Sequence, residues 1–186
     1  MQKGIVVSVA ALAGAFGFAG AVLAQEMPQL PKPGPEQAVL QSDAGVWDAT
    51  VEMFMMPGGA PATSQGIETN TVGCGGMCLL GMFQGDMMGQ PFTGQSITAY
   101  DAVKKKYVGL WMDSTSLGPS LSEAAYDSAT KTMAGTMEGP DMSGQVSKMV
   151  TRSESKDGDH RVFSMYSVGP DGKEVLGLRI TYARRK

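Results

Sequence analysis

The sequence predicts an all-β protein, an antiparallel meander of about ten strands closed into a barrel behind one short helix. Three observations carry this. From Trp47 to Arg184, apolar stretches of strand length alternate with turn chemistry: Met56–Gly59, Cys74–Gly76, Gly85–Asp86, Tyr100–Asp101, Leu117–Pro119, Tyr126–Asp127, Gly139–Asp141, Asp157–Gly158 and Pro170–Gly172. No long helical periodicity interrupts them. Glycine is abundant, 25 of 186 residues, which suits the bends a small closed sheet needs. An open sheet of this size would leave both edges unpaired, so the meander is expected to close.

The elements follow in order. Met1–Ala24 carries one charge, Lys3, then an apolar run ending Val22-Leu23-Ala24. That is the pattern of a secretory signal cleaved before Gln25, with an uncleaved anchor as the competing reading. A periplasmic or secreted bacterial location is the corresponding expectation, without stable membrane insertion after cleavage. Residues 25–35 contain Pro28, Pro31, Pro33 and Pro35 and read as an extended linker. Pro35 suits a first helical position, so Glu36–Asp43 is expected to form a short helix ending near Gly45. Residues 36–186 then form a single barrel domain. Loss of Lys3 takes the net formal charge from −3 to −4, which argues against a nucleic-acid surface.

Period-2 alternation is clearest in three segments. Residues 105–113 place Val108, Leu110 and Met112 on one face and Tyr107, Gly109, Trp111 and Asp113 on the other. Residues 160–168 separate Phe163 and Met165 from Val162, Ser164, Tyr166 and Val168; residues 173–184 separate Leu176, Leu178, Ile180 and Tyr182 from Val175, Gly177, Arg179, Thr181 and Ala183. In each, one face is strongly apolar and the other mixed. The mixed face reads as a partly polar lumen, which makes Tyr107, Trp111, Asp113, Tyr166 and Arg179 the candidate ligand-lining residues. A buried Asp113 needs a partner, such as Arg179 or a tyrosine hydroxyl. A structural network tying two strands together is the competing role. An echo, Ala99-Tyr100-Asp101 to Lys105 and Ala125-Tyr126-Asp127 to Lys131, reads as repeated turn geometry.

Cys74 and Cys78 are the only cysteines. In an exported chain an even count favours a disulfide. With Gly75-Gly76-Met77 as a three-residue hairpin loop, the two would oppose each other within disulfide reach. The alternative is a soft-metal site for copper built from Cys74, Met77 and Cys78. The many methionines, 15 in the chain, serve either that alternative or adaptable packing. His160 lacks the partners of a zinc site. No nucleophile elbow or phosphate loop is present, and Ser128–Lys131 spells SxxK in a turn rather than at a helix start. The residues give no catalytic set and imply no cofactor, so the chain leans away from enzyme.

Gly45-Val46-Trp47, Gly94–Asp101 (GQSITAYD), Lys106–Ser114 (KYVGLWMDS), Asp171–Glu174 and Ile180–Arg184 together resemble the bacterial domain of unknown function numbered 1579, over roughly residues 35–186. That family is similar to lipocalin-like barrels. The resemblance implies a calycin-type barrel whose first-strand Trp closes one end beneath an Arg near the last strand: here Trp47, with Arg184 or Arg179. It carries no activity and no functional residues. The expected function is binding of a small, mostly apolar ligand without chemistry. The rivals are copper handling through Cys74 and Cys78, and a structural or partner-binding domain with a filled barrel. The sequence is silent on oligomeric state.

Overall fold

A computed structural model describes residues 29–141 and 143–186. The expected signal segment, Met1–Ala24, lies outside the described residues. Residues 29–34 have no regular structure. The compact barrel unit spans Lys32–Lys186. Among the described residues no helix is long and apolar enough to cross a membrane, which says nothing of strands.

The helix α1 runs over Pro35–Gln41, shorter than the sequence suggests. Pro35 occupies its first turn, and the Gly34 amide donates to Gln37 Oε1 at 2.9 Å. It ends through Ser42, not Gly45; Gly45 instead opens the sheet at φ 130°.

Ten strands follow: β1 (Gly45–Met53), β2 (Ala62–Gly73), β3 (Cys78–Met87), β4 (Gln90–Asp101), β5 (Lys106–Asp113), β6 (Ser120–Asp127), β7 (Thr132–Pro140), β8 (Val146–Ser155), β9 (His160–Val168) and β10 (Glu174–Arg184). Each pairs antiparallel with the next, and β1 pairs with β10 to close the barrel, with Trp47 opposite Arg184. Closure leaves no sheet edge unpaired.

Turn chemistry sets most boundaries. Asp101 Oδ1 accepts the Val103 amide and Asp127 Oδ1 the Ala129 amide, both at 2.9 Å. Lys105 and Lys131 then take positive φ at the matching position, so the echoed segments share one turn. One boundary differs from the expectation. Gly85–Asp86 is strand, and the turn is Met88-Gly89, with φ 54° and 79°. Gly85 belongs there because β2 passes close: a Cβ on it would sit 2.8 Å from the Gln65 carbonyl.

Cys74 and Cys78 have Cα atoms 5.5 Å apart and sulfurs at bonding distance. The expected opposition is off by one residue, since Gly73 faces Cys78 and Cys74 lies in a short 3₁₀ turn, Cys74–Gly76. The sulfurs stand as the expected disulfide requires. The loop closed is so short that chain entropy assigns the bond only about 2 kcal/mol. Reduction is therefore expected to lower stability modestly while the barrel stays folded, as checked by urea unfolding with and without reductant. A thiol assay on unreduced protein should find no free thiol.

Facing is the main departure from the sequence reading. In β5 the mixed face points inward as expected. In β9 and β10 the apolar face does: Phe163, Met165, Leu178, Ile180 and Tyr182 line the interior. A bulge at Gly177 sets Leu176 opposite Tyr166 and Leu178 opposite Met165, so Leu176 falls out of phase with the residues grouped with it above. The outer face is in turn not uniformly polar. Leu80, Ile97, Leu110 and Leu121 stand in register across β3 to β6, 38–61% exposed.

Candidate functional site

The barrel encloses a cavity of about 690 Å³. One end is closed. Leu40 of α1 packs on Leu79 and Tyr107, and Tyr107 Oη donates to the Glu36 carbonyl at 3.1 Å. Burial, then Glu36 and the neighbouring Tyr100 and Tyr126, pushes the Tyr107 hydroxyl up to about 12. Gln41 Nε2 donates to the Gly76 carbonyl at 2.9 Å. The far end reaches exposed residues such as Met88, 72% exposed. A smaller cavity of about 260 Å³ adjoins it there, sharing Trp111, Asp113, Met137, Met149 and Met165.

The lumen wall is apolar and rich in sulfur. Met53, Met87, Met88, Met133, Met137, Met149 and Met165 line it with Phe83, Phe92, Trp111 and Phe163. Phe83 and Phe92 meet edge to face at 5.9 Å. Other described methionines lie elsewhere, Met55, Met56, Met82 and Met112 being exposed; those on the lumen offer an adaptable, polarisable surface.

Polar groups gather at the closed end. Trp47, 1% exposed, donates Nε1–H to the Asp43 carbonyl at 2.9 Å. Arg184 Cζ lies 4.0 Å from its ring and Arg161 Cζ 4.9 Å. Arg184 donates to the carbonyls of Ala44 at 2.6 Å and Ser42 at 2.8 Å. Arg161, 8% exposed, also stacks 3.9 Å over Tyr182 and forms an ion pair with Glu68. Glu68 Oε1 further accepts Asn70 Nδ2 at 2.7 Å. Burial works against the charge on Arg161, yet Glu68, Tyr182 and Asp43 outweigh it and raise its pKa. Burial likewise raises the Asp43 carboxyl, against the pull of Arg161, and holds the Tyr182 hydroxyl well above its usual range.

Of the residues singled out from sequence, Tyr107, Trp111 and Asp113 border the cavity. Tyr166 and Arg179 do not, because the inward face of β9 and β10 is the other one. Tyr166 lies outside beneath Arg152, 4.8 Å from its ring. Arg179 lies outside as well, 3.7 Å from Glu52 and 5.8 Å over Phe54. Arg184, not Arg179, covers Trp47. Arg161 and Glu68 went unmarked. Arg161 stands two residues before Phe163, in phase with the apolar face of β9, and that phase is the signal that could have found it.

Asp113 has neither expected partner. Its oxygens accept Trp111 Nε1–H at 2.8 Å, the Thr115 amide and hydroxyl at 2.8 Å each, and the Ser116 hydroxyl at 2.6 Å. These donors occupy the carboxylate, so it orders the turn after β5 and fixes the indole. Gly94 gives that indole its seat; a Cβ there would lie 2.3 Å from the ring. Burial raises the Asp113 pKa, but the Ser116, Thr115 and Trp111 hydrogen bonds prevail and lower it. A depressed folded pKa means stability present above the unfolded value of 3.8 and lost as pH falls through the folded one. Asp113→Asn should therefore destabilise at about pH 7, with a cost that shrinks progressively as pH falls below 3.8, read by urea unfolding of both proteins across that range.

A closed ten-stranded barrel around an apolar lumen, with an arginine-covered Trp at its sealed end, defines a lipocalin-like architecture. The chain belongs to the family described as "Protein of unknown function (DUF1579)", whose model matches residues 32–184. No curated protein matches it. Among solved structures it is similar to Rv2717c from M. tuberculosis, at 12% identity and TM-score 0.60 over 82% of this chain and 99% of that one. It is also similar to the S-type phycobiliprotein lyase CPES from Guillardia theta, at 12% identity and TM-score 0.51 over 83% and 99%. At such identities the likeness is one of fold.

Proposed function

We propose that this barrel binds a small, mostly apolar molecule in its lumen and does no chemistry on it, as an exported protein of the bacterial envelope or its surroundings. The observation that carries the reading is the cavity: at about 690 Å³ it lies within the range of roughly 300–1,000 Å³ typical of ligand pockets. A barrel filled by its own side chains would have far less room. Its wall supports the same reading, since aromatic rings and thioethers supply apolar contact with little fixed polarity. The expected leader Met1–Ala24 supports export.

The test is titration with the uncharged fluorophore N-phenyl-1-naphthylamine, read by its emission and by quenching of tryptophan. Met137→Trp places a large ring in the lumen. It should weaken binding at least about tenfold, the equivalent of about 1.4 kcal/mol, while the circular dichroism spectrum is retained. Equal binding by both proteins would assign the probe to the exposed Leu80–Leu121 row and end the proposal; so would no binding by either.

A further inference from the structure

The sealed end of the lumen holds a donor that the protein does not use. Arg161 borders the cavity. Among the described residues its only hydrogen-bond partner is Glu68, reached through Nη2. Nε is fully buried without a partner; Nη1 has none either and, unlike Nε, keeps accessible surface, which makes it the donor open to the lumen. Buried guanidinium donors are costly to leave unmade, so an orphan of this kind calls for an explanation. The rings of Trp47 and Tyr182 lie 4.9 and 3.9 Å from the guanidinium carbon, and a ring offers its N–H groups no lone pair.

Charge narrows what could complete the site. Glu68 already neutralises Arg161, and Asp43 brings a second carboxyl to the same end of the cavity. An anionic head group would meet both carboxyls after losing its water. A neutral oxygen acceptor avoids that cost and still takes a hydrogen bond from a charged donor, the stronger kind. The walls leading to the site are Phe83, Phe92 and Phe163 with the lumen methionines, which favour an apolar, ring-bearing body through sulfur–aromatic contact.

We propose that the lumen takes an uncharged, ring-bearing apolar ligand head first, with a carbonyl, ester or hydroxyl oxygen hydrogen-bonded by Arg161 at the sealed end. This rests on the lumen-binding reading above and adds the ligand's polarity and orientation to it.

Three probes of matched size test it: 2-acetylnaphthalene, 2-ethylnaphthalene and 2-naphthoate, titrated by tryptophan quenching and calorimetry. The native protein should bind the ketone about tenfold more tightly than the hydrocarbon, the worth of one hydrogen bond to a charged donor, and the ketone more tightly than the carboxylate. The comparison variant is Arg161→Met with Glu68→Gln, which removes both charges of the ion pair together. It should still bind the hydrocarbon but lose the ketone's advantage over it. If the hydrocarbon binds and the ketone is no tighter, water satisfies Arg161 and this proposal alone falls. If the carboxylate binds best, the site is anionic-selective and the proposal is wrong on charge. If the variant keeps the ketone's preference, Arg161 is not the donor. If none of the three binds, the lumen-binding reading fails and takes this one with it.

Discussion

Trp47→Ala is expected to lower the unfolding free energy by about 3–5 kcal/mol, the usual loss for truncating a buried aromatic. Trp47 is the most deeply enclosed large side chain, 1% exposed, packed with Ala49, Phe83, Phe92 and Tyr182. Its removal does more than open a void. Both guanidinium groups lose the ring they lie against, and the Asp43 carbonyl keeps only the longer bond from Asn70, at 3.2 Å. That carbonyl ties the segment after α1 to the barrel. The seal should therefore loosen with the loss of stability, and amides of residues 35–44 should exchange faster with solvent. Trp47→Phe keeps most of the packing and loses the N–H, so its cost should be nearer about 1–2 kcal/mol, as for one lost hydrogen bond with a buried acceptor left over. Urea unfolding of the three proteins measures both differences. A loss below about 1 kcal/mol for Trp47→Ala would mean that the Trp is a cover and not a keystone.

The strand count and most turns were legible because turn chemistry is local: an Asp two residues before a free amide announces itself wherever it occurs. The sealed end was legible through the family resemblance, which led to Trp47 and Arg184. Facing was not. Alternation has a period but no sign, and polarity supplies the sign only when one side of the sheet is wet and plainly polar. Here Leu80, Ile97, Leu110 and Leu121 stand outside, while Arg161, Glu68 and Asn70 stand inside. A rule that sends the mixed face inward therefore works for Trp111 and fails for Tyr166 and Arg179. The bulge at Gly177 adds a second obstacle, since it changes the phase of β10 at a residue that reads as an ordinary strand glycine. Glu68 was hidden for a different reason. Its strand, from Ala62 to Gly73, is mostly Thr, Gly, Ser and Asn, so it has no apolar phase against which an inward carboxylate would stand out.

The Arg161–Glu68 pair yields the other large effect, and its sign depends on which partner is removed. Their side chains are only 10% and 14% exposed. Arg161→Met leaves the Glu68 carboxylate buried with only the neutral Asn70 amide and Tyr182 hydroxyl beside it, and should cost about 3–5 kcal/mol. Glu68→Gln strands the guanidinium in the same way and should cost a comparable amount. The double variant replaces the pair by a thioether and an amide, neither charged, and Asn70 can still donate to the new amide oxygen. It should recover most of the loss and come within about 1–2 kcal/mol of the native protein, because an isolated buried charge is worse than no charge at all. The cycle closes by urea unfolding of four proteins at one pH. If the two single losses simply add in the double variant, the residues act independently and the charges reach water from the lumen. Strong non-additivity would mark the sealed end as dry, the condition under which a neutral acceptor on Arg161 gains most from its hydrogen bond.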